Sequence, residues 1–303
     1  MWGNTEFIPE RDIPDLSGKV ILVTGGNTGL GKETVLQLAK HKPAKIFLTA
    51  RSEAKAQQAI SDVRAVVPNA PLEHLIMDLS SFQSVRAAAT KFLQLSPRLD
   101  VLINNAGIMG VPEGHTREGY EIQFGTNHLG HFLLTSLLIQ TLLRTSESPG
   151  SDVRIINLSS FGHNMAPSKG IDFEDLDLKG QSTWARYGQA KLSNLLHAKE
   201  LARRYPGIRT VAVHPGFIRT ELYTPGQNGS AIVKYFYALF APLFFQDVPK
   251  GARNQLWAAT MPGVESGNYY VPVGKVNQGS SHARNQALAT KLWEFSEDAV
   301  KKA

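Results

Sequence analysis

The 303-residue chain contains no cysteine, so disulfide scaffolds, thiolate metal sites and cysteine nucleophiles are excluded at the outset. Hydrophobic residues make up 42% of it and charged residues 19%, the balance of a folded chain with a substantial core and not of a disordered one. A formal charge of +6 comes from dispersed Lys and Arg without interleaved aromatic residues, which argues for surface solvation over nucleic-acid binding and leaves a mild preference for an anionic cofactor.

Residues 1–18, MWGNTEFIPERDIPDLSG, carry scattered charges and no continuous apolar run. They read as an N-terminal extension with neither a secretory core nor an Arg-rich transit helix, and the expected location is cytoplasmic. From there short aliphatic or β-branched runs recur: KVILVTG from Lys19, KIFLTA from Lys45, LEHLIMD from Leu72, DVLINNAG from Asp100, VRIINLSS from Val153, RTVAVHPG from Arg209 and GNYYVPVG from Gly267. Helical patterns lie between them. Parallel strands need crossover connections and bury both faces, so the alternation predicts an α/β fold. The expectation is one doubly wound, mainly parallel sheet of seven strands with helices on both faces, a single domain over residues 19–303.

Two segments break the rhythm. Residues 161–182, FGHNMAPSKGIDFEDLDLKGQS, form a long polar loop after the fifth strand. A stretch at about 221–250 follows the sixth strand and contains AIVKYFYALFAPLFF, Ala231 to Phe245, which is too short and too interrupted by Pro242 to span a membrane. It is expected to be a substrate lid whose Tyr235, Phe236, Tyr237, Phe240, Phe244 and Phe245 wall off an apolar or ring-containing ligand. Core packing, a subunit interface or peripheral membrane contact would use the same residues.

Directly after the first strand, VTGGNTGLGKET places Gly25, Gly29 and Gly31 at the opening of a helix. Glycine allows a tight turn and close approach to a pyrophosphate, whose charge then meets helix N-terminal amides. The turn Thr24, Gly25, Asn27, Thr28, Gly29, Leu30 and Gly31 is therefore a candidate nucleotide-binding loop. At the end of the second strand stands TAR, Thr49 to Arg51, with no carboxylate to accept from a ribose 2′-hydroxyl. Arg51 offers a planar fork to a 2′-phosphate, so NADP(H) is preferred over NAD(H); the plain alternative is a surface charge opening the next helix.

The spacing T-G-x-x-x-G-x-G resembles the short-chain dehydrogenase/reductase family, and NNAG (Asn104 to Gly107), GTNHLGHF, LSS, YGQAK and HPGFIRT follow in that family's order. The resemblance implies a Rossmann-type fold and a nicotinamide cofactor. It also implies that Asp78 with Leu79 meets the adenine, that Asn105, Ala106 and Gly107 line the adenosine ribose, and that Pro215, Gly216, Ile218 and Thr220 belong to the nicotinamide end.

Tyr187 and Lys191 are four apart on a predicted helix, so both can address one cleft. An ammonium beside the phenol would lower its pKa by roughly 1 to 3 units, making Tyr187 a proton donor or acceptor and Lys191 its tuner. By resemblance Lys191 also bonds the nicotinamide ribose. Ser160, chosen over its neighbour Ser159 by the same resemblance, would bond the substrate oxygen, and Asn127 would hold a water linking Lys191 to solvent.

The long loop before Tyr187, with TAR, FGH and the late LWEFSE, resembles the retinol dehydrogenase-like branch, whose hydrophobic N-terminal anchor is not apparent here. His128 and His131 lack a third ligand and Glu174, Asp175 and Asp177 lack a calcium-loop pattern, so no metal is assigned. The expected function is NADP(H)-dependent interconversion of a carbonyl and an alcohol on a small molecule. A non-catalytic NADP(H) sensor, or the same cofactor acting on a C=C bond or in epimerisation, stands as the alternative. The resemblance also allows a homodimer through the helices bearing Asn127 and Tyr187.

Overall fold

β1 (Val20–Val23), with four consecutive aliphatic residues, is buried along its whole length, as a central parallel strand must be. In the computed structural model, which describes residues 6–216 and 247–301, it is flanked by β2 (Lys45–Ala50) and β4 (Val101–Asn104). β3 (Leu72–Ile76) lies outside β2, and β5 (Arg154–Leu158), β6 (Arg209–Val213) and β7 (Tyr269–Val271) continue beyond β4. The order is β3-β2-β1-β4-β5-β6-β7-β8, and the seven expected strands are all parallel to their neighbours in that sequence.

The eighth strand, β8 (Lys275–Asn277), was not expected; it pairs antiparallel with β7. The apparent single strand from Gly267 folds back because Pro272 lacks an N–H to continue the ladder and Gly274 takes the left-handed conformation at φ 67°.

Alternating side chains along each strand feed two cores. Ile21 and Val23 face α1 (Gly29–Ala39), α2 (Glu53–Val66) and α6 (Val248–Thr260), meeting Val35, Leu38, Ile60 and Leu256. Leu22 and Leu102 face α3 (Phe82–Leu95), α4 (Gly130–Ser146), α5 (Thr183–Arg204) and α7 (Gln286–Lys301), meeting Phe92, Leu138, Leu195 and Trp293. The chain travels outward from β1 to β3 and then returns to start β4. The crevice over the carboxyl ends of β1 and β4 is therefore the switch point where open sheets of this kind hold ligands.

α5 is enclosed almost all round within the single chain, with residues 186–198 buried. Part of that cover is α7: Gln286 donates to the Glu200 carboxylate at 2.6 Å, and Arg204 lies 4.5 Å over the Trp293 ring. The loop over 161–182 opens with a 3-10 turn at Phe161–Met165 and is tied to α5 through Gln189, which accepts from the Asp172 N–H and donates to the Leu176 carbonyl. Ile218, Thr220 and the lid expected at about 221–250, apart from its last residues, lie outside the described residues. Among the described residues no helix is long and apolar enough to cross a membrane.

Candidate active site

The glycine turn sits on the switch-point crevice. A Cβ on Gly31 would come within 2.2 Å of the Gly25 carbonyl oxygen, so α1 can close against the turn only with glycine at that position. The Gly25 N–H donates to the Thr49 hydroxyl at 3.1 Å, tying the turn to the end of β2, where Arg51 stands exposed. Thr24 is the hub: its hydroxyl accepts the N–H groups of Asn105 and Ala106, both at 2.9 Å, and its carbonyl accepts the Asn105 side chain at 2.8 Å. The other end of the Asn105 amide accepts from Gln255 of α6 at 3.2 Å. Asp78 uses its carboxylate on the backbone and hydroxyl of Ser80, at 3.0 and 2.7 Å, shaping the turn before α3, with Leu79 buried beneath Gly130. Asn27, Thr28, Gly29 and Leu30 line the turn, partly to fully accessible, and Pro215 and Gly216 leave the end of β6 half-buried.

Ser159 and Ser160 separate cleanly. Ser159 is buried and donates to the Lys191 carbonyl at 2.8 Å, which pins α5 to the end of β5. Ser160 is partly accessible; its hydroxyl accepts the Gly162 N–H at 3.0 Å and favours the ionised form of the Tyr187 phenol. Lys191, one helical turn beyond Tyr187, donates to the Leu158 carbonyl at 3.2 Å with its ammonium 5.8 Å from the Tyr187 ring centre. Asn127 closes the group from a π-helical turn, Gly125–Leu129, ahead of α4: its amide donates to the Ile108 carbonyl at 2.9 Å and accepts the Ile108 N–H at 2.8 Å. Both ends of that amide are thus tied to Ile108, and the Asn127 main-chain carbonyl lies 3.0 Å from Nδ1 of His131. Gly107 lies where a Cβ would be 3.0 Å from the Asn127 amide oxygen and 3.4 Å from the Lys191 ammonium.

The expected tuning is not what the electrostatics give. Burial pushes the Tyr187 phenol up to about 12, against the hydrogen bond with Ser160, and pulls Lys191 down to about 8. Loss of water around the two groups sets the direction of both shifts.

Three apolar side chains at this end of the site were not singled out by the sequence pattern. Trp184, one turn before Tyr187 on α5, packs edge-on to it at 6.5 Å between ring centres. Met165 and Phe161 flank Gly162, and all three apolar side chains remain open to solvent, Phe161 at 57%, Met165 at 43% and Trp184 at 39%. The i−3 spacing of Trp184 from Tyr187 was a readable signal for a shared face; the other two lie in a loop with no period to read.

These features fit a nicotinamide dinucleotide. A side-chain-free cradle at Gly31 leads into a helix N-terminus, Gly107 leaves room beside Lys191, and among the described residues no carboxylate pairs with that buried ammonium. Thr24, Gly25 and the N-terminus of α1 would hold the diphosphate, Asp78 and Asn105 would border the adenosine, and Lys191 would meet the nicotinamide ribose.

An open doubly wound sheet with a glycine turn after β1 and a Ser–Tyr–Lys group over β5 and α5 is the architecture of a dinucleotide-dependent oxidoreductase. The sequence model of the family described as short chain dehydrogenase matches residues 19–171. The chain belongs to the short-chain dehydrogenase/reductase family. It is 42% identical over 306 residues to the short-chain dehydrogenase/reductase drtF of Aspergillus calidoustus, covering 96% of each chain. It is 38% identical over 288 residues to retinol dehydrogenase 12 of Mus musculus, covering 93% of this chain and 86% of that one. Among solved structures, an uncharacterized protein of Mycobacterium paratuberculosis superposes with a TM-score of 0.75 at 29% identity, over 98% of both chains.

Proposed function

We propose that the protein is an NADP(H)-dependent carbonyl reductase or alcohol dehydrogenase acting on an uncharged apolar or ring-bearing small molecule. The bound nicotinamide supplies or accepts the hydride. Tyr187 gives a proton to the substrate oxygen in reduction and takes it back in oxidation, and the Ser160 hydroxyl donates to the same oxygen as its charge develops. Lys191 holds the cofactor ribose and returns the proton to Tyr187 through a water held at Asn127. The observation that carries this reading is the Ser160 hydroxyl acting on the Tyr187 phenol beside a buried ammonium that no carboxylate among the described residues pairs with.

The preference for NADP(H) rests on Arg51, exposed at the end of β2 with no acid beside it in Thr49–Ala50–Arg51. The apolar substrate class rests on Met165 and Trp184, large apolar side chains exposed beside the phenol. We further infer a monomer, because α5, one of the two helices through which the resemblance allowed a homodimer, is already enclosed by its own chain and α7.

Incubation with NADPH and a panel of apolar ketones and aldehydes, followed by loss of nicotinamide absorbance, tests the assignment. Tyr187→Phe should bind NADPH as the parent does and lose nearly all turnover. Binding of NADPH by the parent without oxidation by any carbonyl would favour a sensor and overturn the reading.

A further inference from the structure

His131 is used by neither the cofactor nor the proton donor, yet it stands between them. Its ring is 2% exposed on the first turn of α4. Nδ1 lies 3.0 Å from the Asn127 carbonyl oxygen and Nε2 lies 2.8 Å from the Thr24 hydroxyl. A carbonyl can only accept, so Nδ1 carries the hydrogen in a neutral ring, and Nε2 is then a lone pair. The Thr24 hydroxyl must donate to it. That single hydrogen is therefore committed to His131, and the rival acceptor, the Ile103 carbonyl, is farther at 3.4 Å. The oxygen of Thr24 is left to accept the two N–H groups of Asn105 and Ala106.

The result is a one-way chain of hydrogen bonds: Asn105 and Ala106 to Thr24, Thr24 to His131, His131 to Asn127. Asn127 in turn clamps both backbone groups of Ile108. The segment 105–108 is thus held at one end by the glycine turn and at the other by Asn127, with one imidazole joining the two holders. Burial keeps that ring neutral, down to about 4, and the positive Lys191 acts in the same direction.

We propose that His131 is a positioning residue: as the Nδ1–H tautomer it locks the Asn127 main-chain carbonyl to the Thr24 hydroxyl, and so sets the distance between the dinucleotide turn and the proton relay. The catalytic part of this inference rests on the function proposed above; the bonded bridge itself does not.

Ring-nitrogen NMR of protein labelled with 15N-histidine, assigned by difference with His131→Asn, should show a neutral Nδ1–H ring for His131 at neutral pH. An Nε2–H or charged ring overturns the bridge. In turnover, His131→Leu should lower kcat by about tenfold or more with the carbonyl KM changed less than about twofold, while His131→Asn, which can still donate to the Asn127 carbonyl, recovers most of kcat. A folded His131→Leu protein with parental kcat overturns the positioning role. Should the leucine variant fail to fold, Thr24→Val combined with His131→Asn carries the test: kcat losses smaller than the product of the single losses support the shared bond, and multiplicative losses overturn it. If the parent binds NADPH and turns over no carbonyl, the proposed function fails, and the ring-nitrogen spectrum alone then decides the bridge.

Discussion

Gly162→Ala should cripple turnover without dismantling the fold. Gly162 adopts no left-handed conformation, so alanine brings no backbone strain; its effect is one methyl group. That methyl would start 2.7 Å from Cε1 and 3.1 Å from Cδ1 of Tyr187, with the Met165 methyl at 3.2 Å. To reach ordinary contact at 3.4 Å, ring and methyl must separate by about 0.7 Å. Met165 is exposed and can swing away. Tyr187 is seated within a 22-residue helix that is buried on nearly every side, so the phenol tilts or the 3-10 turn that Ser160 caps shifts. Either movement pulls apart the two hydroxyls that must address one substrate oxygen. A displacement approaching 1 Å at reacting groups can reduce rate by about a hundredfold, whereas one extra methyl in a packed site destabilises a fold by about 1–3 kcal/mol. The expectation is a folded variant with NADPH affinity near that of the parent and kcat reduced by about ten- to a hundredfold. Steady-state reduction kinetics, NADPH titration and thermal unfolding check it together. Parental kcat in a folded Gly162→Ala protein would show that the phenol does not need its present position.

Arg51→Ala should weaken NADPH by about ten- to a hundredfold, the range for losing charge-assisted hydrogen bonds, and leave NADH unchanged; equal effects on both cofactors in parallel titrations would remove Arg51 from 2′-phosphate recognition. The folded Lys191 value, about 8, lies below the ordinary 10.5, so the unfolded chain binds more proton between them. Stability from this group therefore rises with pH across that window and is lost as pH falls through about 8. Denaturant unfolding of cofactor-free protein should show the parent gaining about 2–3 kcal/mol on Lys191→Met between neutrality and pH ~10. Above that Tyr187, raised from 10 to about 12, pulls the opposite way, and a gap constant with pH would refute the burial argument. Light scattering on the eluting protein should return the mass of one chain at micromolar concentration; a stable dimer would mean that another face than α5 associates or that α7 is displaced.

Strands were legible where burial on both faces forced unbroken aliphatic runs, as in Val20–Val23 and Arg154–Leu158. β8 was not, because its three residues are exposed and form a strand only by pairing with β7. The spacing of Tyr187 and Lys191 told which face they share but not how little water reaches it, and desolvation reversed the expected direction of the phenol shift. His128 and His131 looked like one pair on a helix. In the fold His128 turns to Ser296 of α7 and His131 to Thr24 of the glycine turn, partners more than a hundred residues away in sequence that no local period encodes. The same long-range packing hid α7 as the cover of α5.

Among the described residues, the polar groups around Lys191 are uncharged: the Leu158 carbonyl, the Asn127 amide and the neutral imidazole of His131. Leaving an ammonium buried without a carboxylate is unfavourable, and burial alone brings Lys191 down to about 8. A carboxylate within bonding distance would relieve that penalty and would also hold the ammonium in one place at every stage of a reaction. Carbonyl and amide dipoles stabilise the charge less and leave its field uncancelled toward the crevice. On the proposed reading, negative charge appears there twice, on the dinucleotide and on the substrate oxygen during reduction. A cation kept short of a partner by its own fold is then stabilised most when both are in place, so cofactor binding should raise the Lys191 pKa and prepare Tyr187 for proton transfer in the same step.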